Sequence, residues 1–272
     1  MRRQSIELVV TDLDGTLWDR TCRAHPSTLR ALSEISTVIP VIAATGRRPS
    51  SAFAKMRTND FSMPAVLFDG SIGLLAEEGP RFHYRTFDPD AYATVLDIFL
   101  RFDLEPIVNL DDVKSCGMGK SPATHPNHLA DNMPNARRVE LAEATASWNV
   151  LGLLICGGDD RLISIFHEVR DIAAASLTPD VRYGGISLSV RPPGATKWSG
   201  VSSYCHEQGI QTDRVLAVAD GMNDLDLLEA SAIACVPESA CGEALALATH
   251  VIGSPSAGGW AEVLDIIHAV EG

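Results

Sequence analysis

Positive charge is scarce in this chain. Its 272 residues carry 22 Lys and Arg against 35 Asp and Glu, a formal net charge of −13 at pH 7. Nucleic acid and anionic membrane surfaces both require a positive face, so neither is expected as a main partner. Paired cysteines are missing too. Cys22, Cys116, Cys156, Cys205, Cys235 and Cys241 are scattered, with no Cys-x-x-Cys pair, so zinc clusters and disulfide frameworks are not expected and reduced thiols are. Long hydrophobic runs are also absent. The stretch after Met1-Arg2-Arg3-Gln4-Ser5 is interrupted by Glu7 and Asp12, too short and too charged for a signal peptide or a membrane span. A soluble, cytoplasmic protein is the expectation. No internal repeat or low-complexity tract occurs.

What the chain does have is core-forming material: 46% of its residues are hydrophobic, enough for one large domain or two ordinary ones. Short apolar runs alternate with helix-like periodicity. "IELVVTDL", "VIPVIAATG" and "PAVLFDG" read as strands, with helices over "HPSTLRALSEI" and "PSSAFAKM". Near the other end, "VLAVADG", "AIACV" and "HVIGS" are further strands, with a helix over "NDLDLLEAS". Near-continuous apolar strands between helices predict an α/β fold, a doubly wound parallel sheet covered on both faces. The middle differs. Residues 81–190 show a less regular alternation, with a polar, loop-rich stretch from Leu110 to Arg138 that contains Pro122, Pro126 and Pro134. A helix over "DAYATVLDIFLRF", a strand in "WNVLGLLIC" and a helix over "RLISIFHEVRDIAAA" are still legible there. This length suffices for an α+β domain, inserted between core segments 1–80 and 191–272.

The chemistry begins at "VVTDLDGTLWD". Asp12 and Asp14 leave the end of the first strand on the same side, because residues i and i+2 face alike, and Gly15 permits a sharp turn. Two carboxylates so close repel, which raises one pKa unless a cation neutralises them. Mg²⁺ is the obvious cation, since it takes hard oxygen ligands and commonly uses few carboxylates. Asp and Gly are also good turn formers, so the bland reading is a simple turn. Three other segments weigh against it. Thr45-Gly46-Arg47 ends the second strand with a hydroxyl and backbone N–H groups at a helix start, suited to an anion. "VRPPGATKWSG" sets Lys197 just before a helix as a fixed positive charge. "VLAVADGMNDLDLL" ends a buried run in Asp220, then Asn223 and Asp224. In a parallel α/β sheet these all fall on the carboxyl edge, where ligands bind.

These segments, in this order, resemble the haloacid dehalogenase-like (HAD) hydrolase superfamily of phosphatases, and its Cof-type branch in particular. The resemblance covers about residues 1–80 and 190–272, including Pro192-Pro193-Gly194-x-x-Lys197 and the tail from Ala230 to Leu264. It implies a Rossmann-like HAD core with an inserted C2-type cap over 81–190, whose closure would shut water out and set substrate choice. The resemblance implies Asp12 as the nucleophile that forms an aspartyl-phosphate. Asp14 would be the general acid and base, a role suited to a carboxyl whose pKa its neighbour lifts. Thr45 and Lys197 would hold phosphoryl oxygens. Asp12, the Asp14 backbone carbonyl and Asp220 would bind Mg²⁺, and Asp224 would ligate it through water or orient its shell. Thr16, Gly46, Arg47 and Asn223 complete the expected substrate side of the site. Two departures from the family pattern stand out: Ala219 where Gly is usual, and Asp69-Gly70 where Asn-Gly is usual.

The expected function is Mg²⁺-dependent hydrolysis of a small phosphorylated metabolite, a sugar phosphate by default. The rivals are a phosphomutase or phosphotransferase on the same scaffold, and a non-catalytic phosphometabolite-binding protein. Other features favour bland readings. Gly119-Lys120-Ser121 ends like a P-loop, but Lys114 stands where that motif requires Gly. His125 and His128 in "HPNH" suit a solvated loop better than a metal site. Arg47 either reaches substrate or caps a helix turn, and Trp198 and Trp260 are packing residues.

Overall fold

The computed structural model describes residues 5–112, 114–158, 160–180 and 183–271; the reading of residues 1–4 lies outside them. The chain divides into two compact units: Met1–Arg47, Ser51–His83 and Thr196–Gly272 form one, and Arg48–Ser50 with Tyr84–Ala195 the other. Among the described residues no helix is long and apolar enough to cross a membrane.

The first unit opens with β1 (Leu8–Thr11), α1 (Pro26–Ile35), β2 (Val41–Ala44), α2 (Pro49–Thr58), β3 (Ala65–Leu67), β4 (Ile72–Leu74) and β5 (Arg81–Tyr84). β1, β2 and β3 are buried along their whole length, as their unbroken apolar sequences require of strands covered on both faces. β1 pairs in parallel with β2, and β2 with β3, while β4 runs antiparallel to β3. Helix α1 starts cleanly because Pro26 occupies its first turn and the His25 ring accepts from the Ser27 N–H.

The second unit carries α3 (Pro89–Arg101), β6 (Ile107–Leu110), β7 (Cys116–Met118), α4 (Pro126–Asn132), β8 (Ala136–Arg138), α5 (Ala144–Ser147), β9 (Val150–Gly158), α6 (Arg161–Val169), β10 (Ala174–Pro179) and β11 (Ile186–Arg191). Its sheet has the order β10-β11-β9-β6-β7-β8. Tyr92, Val95, Leu96 and Phe99 lie at helical spacing on α3 and join the buried core of this unit with Leu153, Ile165 and Leu188. The Tyr92 hydroxyl, inside that core, donates to the Leu141 carbonyl at 2.7 Å.

The chain then returns to the first unit with α7 (Lys197–Gln208), β12 (Val215–Val218), α8 (Leu225–Ala230), β13 (Ile233–Pro237), α9 (Gly242–Leu247), β14 (His250–Ile252) and α10 (Glu262–Glu271). The completed eight-stranded sheet has the order β14-β13-β12-β1-β2-β3-β4-β5. β12 pairs in parallel with β1, residue Val218 opposite Thr11. The expected α/β fold with a mostly parallel sheet is what the chain adopts.

Two expectations for the middle of the chain need correction. The helix read over "RLISIFHEVRDIAAA" stops at Val169, and Ala174–Pro179 is instead strand β10, antiparallel to β11. The apolar helical stripe of Leu162, Ile165 and Val169 ends there, and strand pairing overrides the helix preference of the alanines, as tertiary context commonly overrides propensity. "HPNH" is not a loop. Pro126 sits in the first turn of α4, where a missing N–H costs nothing, and the His125 ring accepts from the Asn127 N–H at 3.2 Å. His128 is then a buried helix residue bonded to the Thr124 hydroxyl.

Tyr92→Phe is expected to remove a buried partner of the Leu141 carbonyl and to cost about 1 kcal/mol. Urea unfolding followed by circular dichroism checks this.

Candidate active site

Because β1, β2, β3 and β12 are parallel neighbours, the residues leaving their carboxyl ends meet at one edge of the sheet. Asp12 leaves β1, Thr45 leaves β2, Phe68 leaves β3 and Asp220 follows β12 closely. Lys197 comes to the same edge as the first residue of α7, one position further into the helix than expected. The helix start is fixed by a reciprocal capping box between Thr196 and Ser199. The Lys197 side chain is fully buried, and its Nζ donates to Asp12 Oδ1 at 2.7 Å and to Asp224 Oδ1 at 2.6 Å.

Asp220 is held from another side. The buried Thr16 hydroxyl donates to Asp220 Oδ1 at 2.8 Å. Gly15 brings the chain to this position at φ +81°, and a Cβ on it would stand 2.4 Å from Asp220 Oδ2, so glycine is needed both for conformation and for room. Asp224 Oδ2 accepts from the Gly221 N–H at 2.9 Å. Asp12, Asp220 and Asp224 each offer a carboxylate oxygen, all within 4.8 Å of one another. Oxygen donors alone, closely grouped and mostly buried, fit a hard divalent cation rather than a soft one.

The charge balance points the same way. Burial raises the Asp12 carboxyl well above its ordinary range, despite the pull of Lys197, and Asp224 and Asp220 push it further up. Asp224 is raised by burial against the same lysine. Asp220 is pushed up to about 6, by burial first and Asp224 next. Burial opposes the Lys197 ammonium, yet Asp12 and Asp224 outweigh it and hold the proton more tightly than in water. One ammonium does not neutralise three carboxylates, and their ionised forms are costly until a further cation arrives.

Asp14 departs from expectation. Its carboxyl is lowered, not lifted by Asp12: burial works against ionisation, but hydrogen bonds and charge from Arg47, then Trp18, overcome it. Arg47 Nε and Nη2 each meet one Asp14 oxygen at 2.6 Å in a two-pronged ion pair, the strong form of this contact. Trp18 Nε1 donates to Asp14 Oδ1 at 3.0 Å, and the Arg47 guanidinium lies 5.6 Å from the centre of the Trp18 ring. Arg47 also donates to Ser51 Oγ at 2.8 Å and approaches Cys22 Sγ at 3.1 Å. In this state Arg47 therefore neither reaches outward nor caps a helix turn. It holds Asp14.

The remaining expected residues fall as follows. Thr45 is buried, and its hydroxyl accepts from the Arg47 N–H at 3.2 Å. Thr16 is fully buried, and its hydroxyl supports Asp220. Asn223 Nδ2 donates to Asp69 Oδ1 at 2.8 Å. Ala219 is fully buried within the hydrophobic core, so its methyl is absorbed by packing and Asp220 keeps its place. Trp260 packs as expected and also donates to Thr11 Oγ1 at 3.0 Å. Trp18 carries the signal that sequence reading missed: an indole N–H four residues after Asp14, inside the same turn. The Gly119–Ser121 segment is no phosphate loop; a Cβ on Gly119 would stand 2.5 Å from Glu105 Oε2, and that same oxygen takes the Ser121 N–H.

Residues 9–264 match the model of a family described as haloacid dehalogenase-like hydrolase. The chain belongs to that family. A chloroplastic endoribonuclease YBEY of Arabidopsis thaliana is 20% identical over 83% of this chain, which spans only 40% of that relative's length. A phosphoglycolate phosphatase of Methanothrix thermoacetophila is 22% identical over 97% of this chain and 98% of its own. Among solved structures, a HAD phosphatase from Bacteroides thetaiotaomicron has a TM-score of 0.81 at 18% identity, covering 98% of this chain and 97% of its own. A HAD subclass IIB sugar phosphatase has a TM-score of 0.76 at 15% identity, covering 97% and 99%. The expectation of a Cof-type HAD hydrolase of the phosphatase kind is borne out.

Titrating Mg²⁺ into EDTA-treated protein is expected to raise Tm by about 5 °C at roughly 100 times Kd, as binding to the native state alone requires. Asp220→Asn should remove most of that shift in differential scanning calorimetry.

Proposed function

We propose that this HAD hydrolase is a Mg²⁺-dependent phosphomonoester hydrolase that acts on a small phosphorylated metabolite, by default a sugar phosphate, through an aspartyl-phosphate on Asp12. The observation that carries this reading is the pairing of Asp12 with a fully buried lysine inside a carboxylate cluster short of positive charge. Binding alone has no need of a carboxylate pressed into a phosphate site; nucleophilic attack does. The neutral pairing of Asp14 with Arg47, beside that cluster, supplies the second group such chemistry requires. That the Methanothrix relative is a phosphoglycolate phosphatase supports a small substrate.

In this reading Asp12, Asp220, Asp224 and the Asp14 backbone carbonyl would hold Mg²⁺, which would offset the charge of two anions that must approach each other. Lys197 and the Thr45 hydroxyl take phosphoryl oxygens, with backbone N–H groups of the Gly46–Arg47 turn beside them. An Asp12 oxygen bonds phosphorus as the bond from phosphorus to the leaving alcohol breaks. Asp14 gives its proton to the departing alkoxide, then takes one from the water that attacks the aspartyl-phosphate and releases inorganic phosphate. Asp14 is ionised on Arg47 in the substrate-free protein, so this cycle requires the ion pair to open before the acid step. We assign the unit Tyr84–Ala195 as the inserted C2-type cap that selects the substrate, with the catalytic core on either side of it in sequence.

Asp12→Asn is expected to lower kcat on p-nitrophenyl phosphate more than about 10³-fold with an unchanged circular dichroism spectrum. Near-normal phosphate release from highly purified variant would end the nucleophile assignment. In single-turnover measurements of the first step, Asp14→Asn should slow alcohol release from alkyl phosphates by about 10²-fold or more and p-nitrophenolate release much less, because an alkoxide needs protonation and p-nitrophenolate does not. Equal losses of the first-step rate on both substrates would remove Asp14 from the acid role.

A further inference from the structure

The turn that follows β3 is strained, and it meets the loop after β2, the start of α7 and the loop after β12. Phe68, Asp69 and Gly70 have φ values of +48°, +47° and +107° in succession. Gly accepts such angles and Asp tolerates them, but a bulky aromatic residue there is an outlier that persists only when its surroundings impose it. The surroundings are identifiable. The Phe68 N–H donates to the Arg47 carbonyl and the Asp69 N–H to the Thr45 carbonyl, each at 3.1 Å. The Gly70 carbonyl pairs with His83 Nε2 at 2.9 Å, and a Cβ on Gly70 would stand 2.0 Å from the Thr196 carbonyl oxygen, next to Lys197.

The result is that Asp69, though buried, projects its carboxylate between two loops. Oδ1 accepts from Asn223 Nδ2 at 2.8 Å. The same carboxylate lies against Gly46, where a Cβ would stand 3.0 Å from Oδ1 and 3.1 Å from Oδ2. A carboxylate only accepts, so it fixes which end of the Asn223 amide faces it. An amide nitrogen has two N–H donors; Asp69 engages one, and the other is the donor Asn223 has for a phosphoryl oxygen.

We propose that Asp69 is a positioning residue for the phosphate cradle, its carboxylate orienting the Asn223 amide from a left-handed turn whose backbone is tied to the Thr45–Arg47 loop. This rests on reading the sheet edge as the phosphate site. It also gives the departure from the family's usual Asn a function in this chain: Asp presents an acceptor on either oxygen, with no flipped orientation to compete.

The test measures kcat and KM on p-nitrophenyl phosphate and Ki for inorganic phosphate with the full chain and Mg²⁺. Asp69→Gly removes the carboxylate at a φ that Gly adopts freely. Loss of one oriented donor should raise KM and Ki about tenfold while kcat moves much less. Asp69→Asn keeps an acceptor oxygen and should stay within about threefold of wild type. Because Asp69 acts through Asn223, the double variant Asp69→Gly/Asn223→Ala should match Asn223→Ala alone. A wild-type Ki in Asp69→Gly, or losses that multiply in the double variant, overturns the proposal. Should Asp69→Gly fail to fold by circular dichroism, Asp69→Asn decides alone, and a tenfold higher Ki there overturns it. Failure of the phosphatase reading itself shows differently: wild-type protein would release no phosphate and inorganic phosphate would not inhibit.

Discussion

A single buried ammonium organises the whole carboxyl edge of the sheet. Lys197 has no exposure to water, and its donors reach Asp12 and Asp224 from the first turn of α7. Burying a charge is tolerable only with partners at hydrogen-bond distance, so the placement of α7 and the loops after β1 and β12 are bound to one another electrostatically. The parallel sheet makes this possible. Strands that run the same way and pair in register, Thr11 opposite both Ala43 and Val218, bring segments distant in sequence to one rim. The lysine then fixes how closely they approach. What it does not do is neutralise them, and that shortfall of positive charge is the physical reason the cluster suits a hard divalent cation.

Asp12 and Asp14 are two residues apart, yet they live in different electrostatic settings. Asp12 lies in the charge-deficient cluster, where burial drives its carboxyl upward. Asp14 turns to Arg47 and Trp18, where a full positive charge and an indole N–H hold it ionised. Adjacent carboxylates whose environments push their proton affinities apart are the pattern that divides a nucleophile from an acid–base group. The sense of the split in the substrate-free protein is opposite to the one that the expected acid–base role of Asp14 implies. Arg47 therefore sets the resting state: it removes Asp14 from mutual repulsion and keeps it beside the site.

Much of this was legible in the sequence because its signals are local. The apolar runs ending in Asp12, Thr45 and Asp220 marked strands and their polar ends together, and a parallel sheet places such ends at one edge whatever the loop details. Gly15 announced a turn that only glycine can make against Asp220. What stayed hidden depends on where long side chains point. Arg47 has several donors, and nothing in Thr45-Gly46-Arg47 says that they turn back onto Asp14 rather than outward. Thr16 reads as part of a motif, but its hydroxyl faces inward to Asp220 across more than 200 residues of sequence. The strand Ala174–Pro179 was hidden for a different reason: a run of alanines prefers helix, and only its pairing with β11 reveals it as a strand.

The turn at Phe68–Gly70 shows where local preference and fold disagree, and why the disagreement is kept. Left-handed backbone at a non-glycine residue costs on the order of 1–3 kcal/mol, and Phe68 and Asp69 both adopt it. A relaxed turn would avoid that cost. It would also break the hydrogen bonds from Phe68 and Asp69 to the Arg47 and Thr45 carbonyls, which tie the third strand end to the second. It would withdraw the Asp69 carboxylate from Asn223 as well. Strain of this size survives only if the contacts it permits outweigh it, and here those contacts all lead to the rim that holds Lys197. The same buried ammonium that gathers the acidic residues thus sits beside a turn in which two successive non-glycine residues are bent against their own preference.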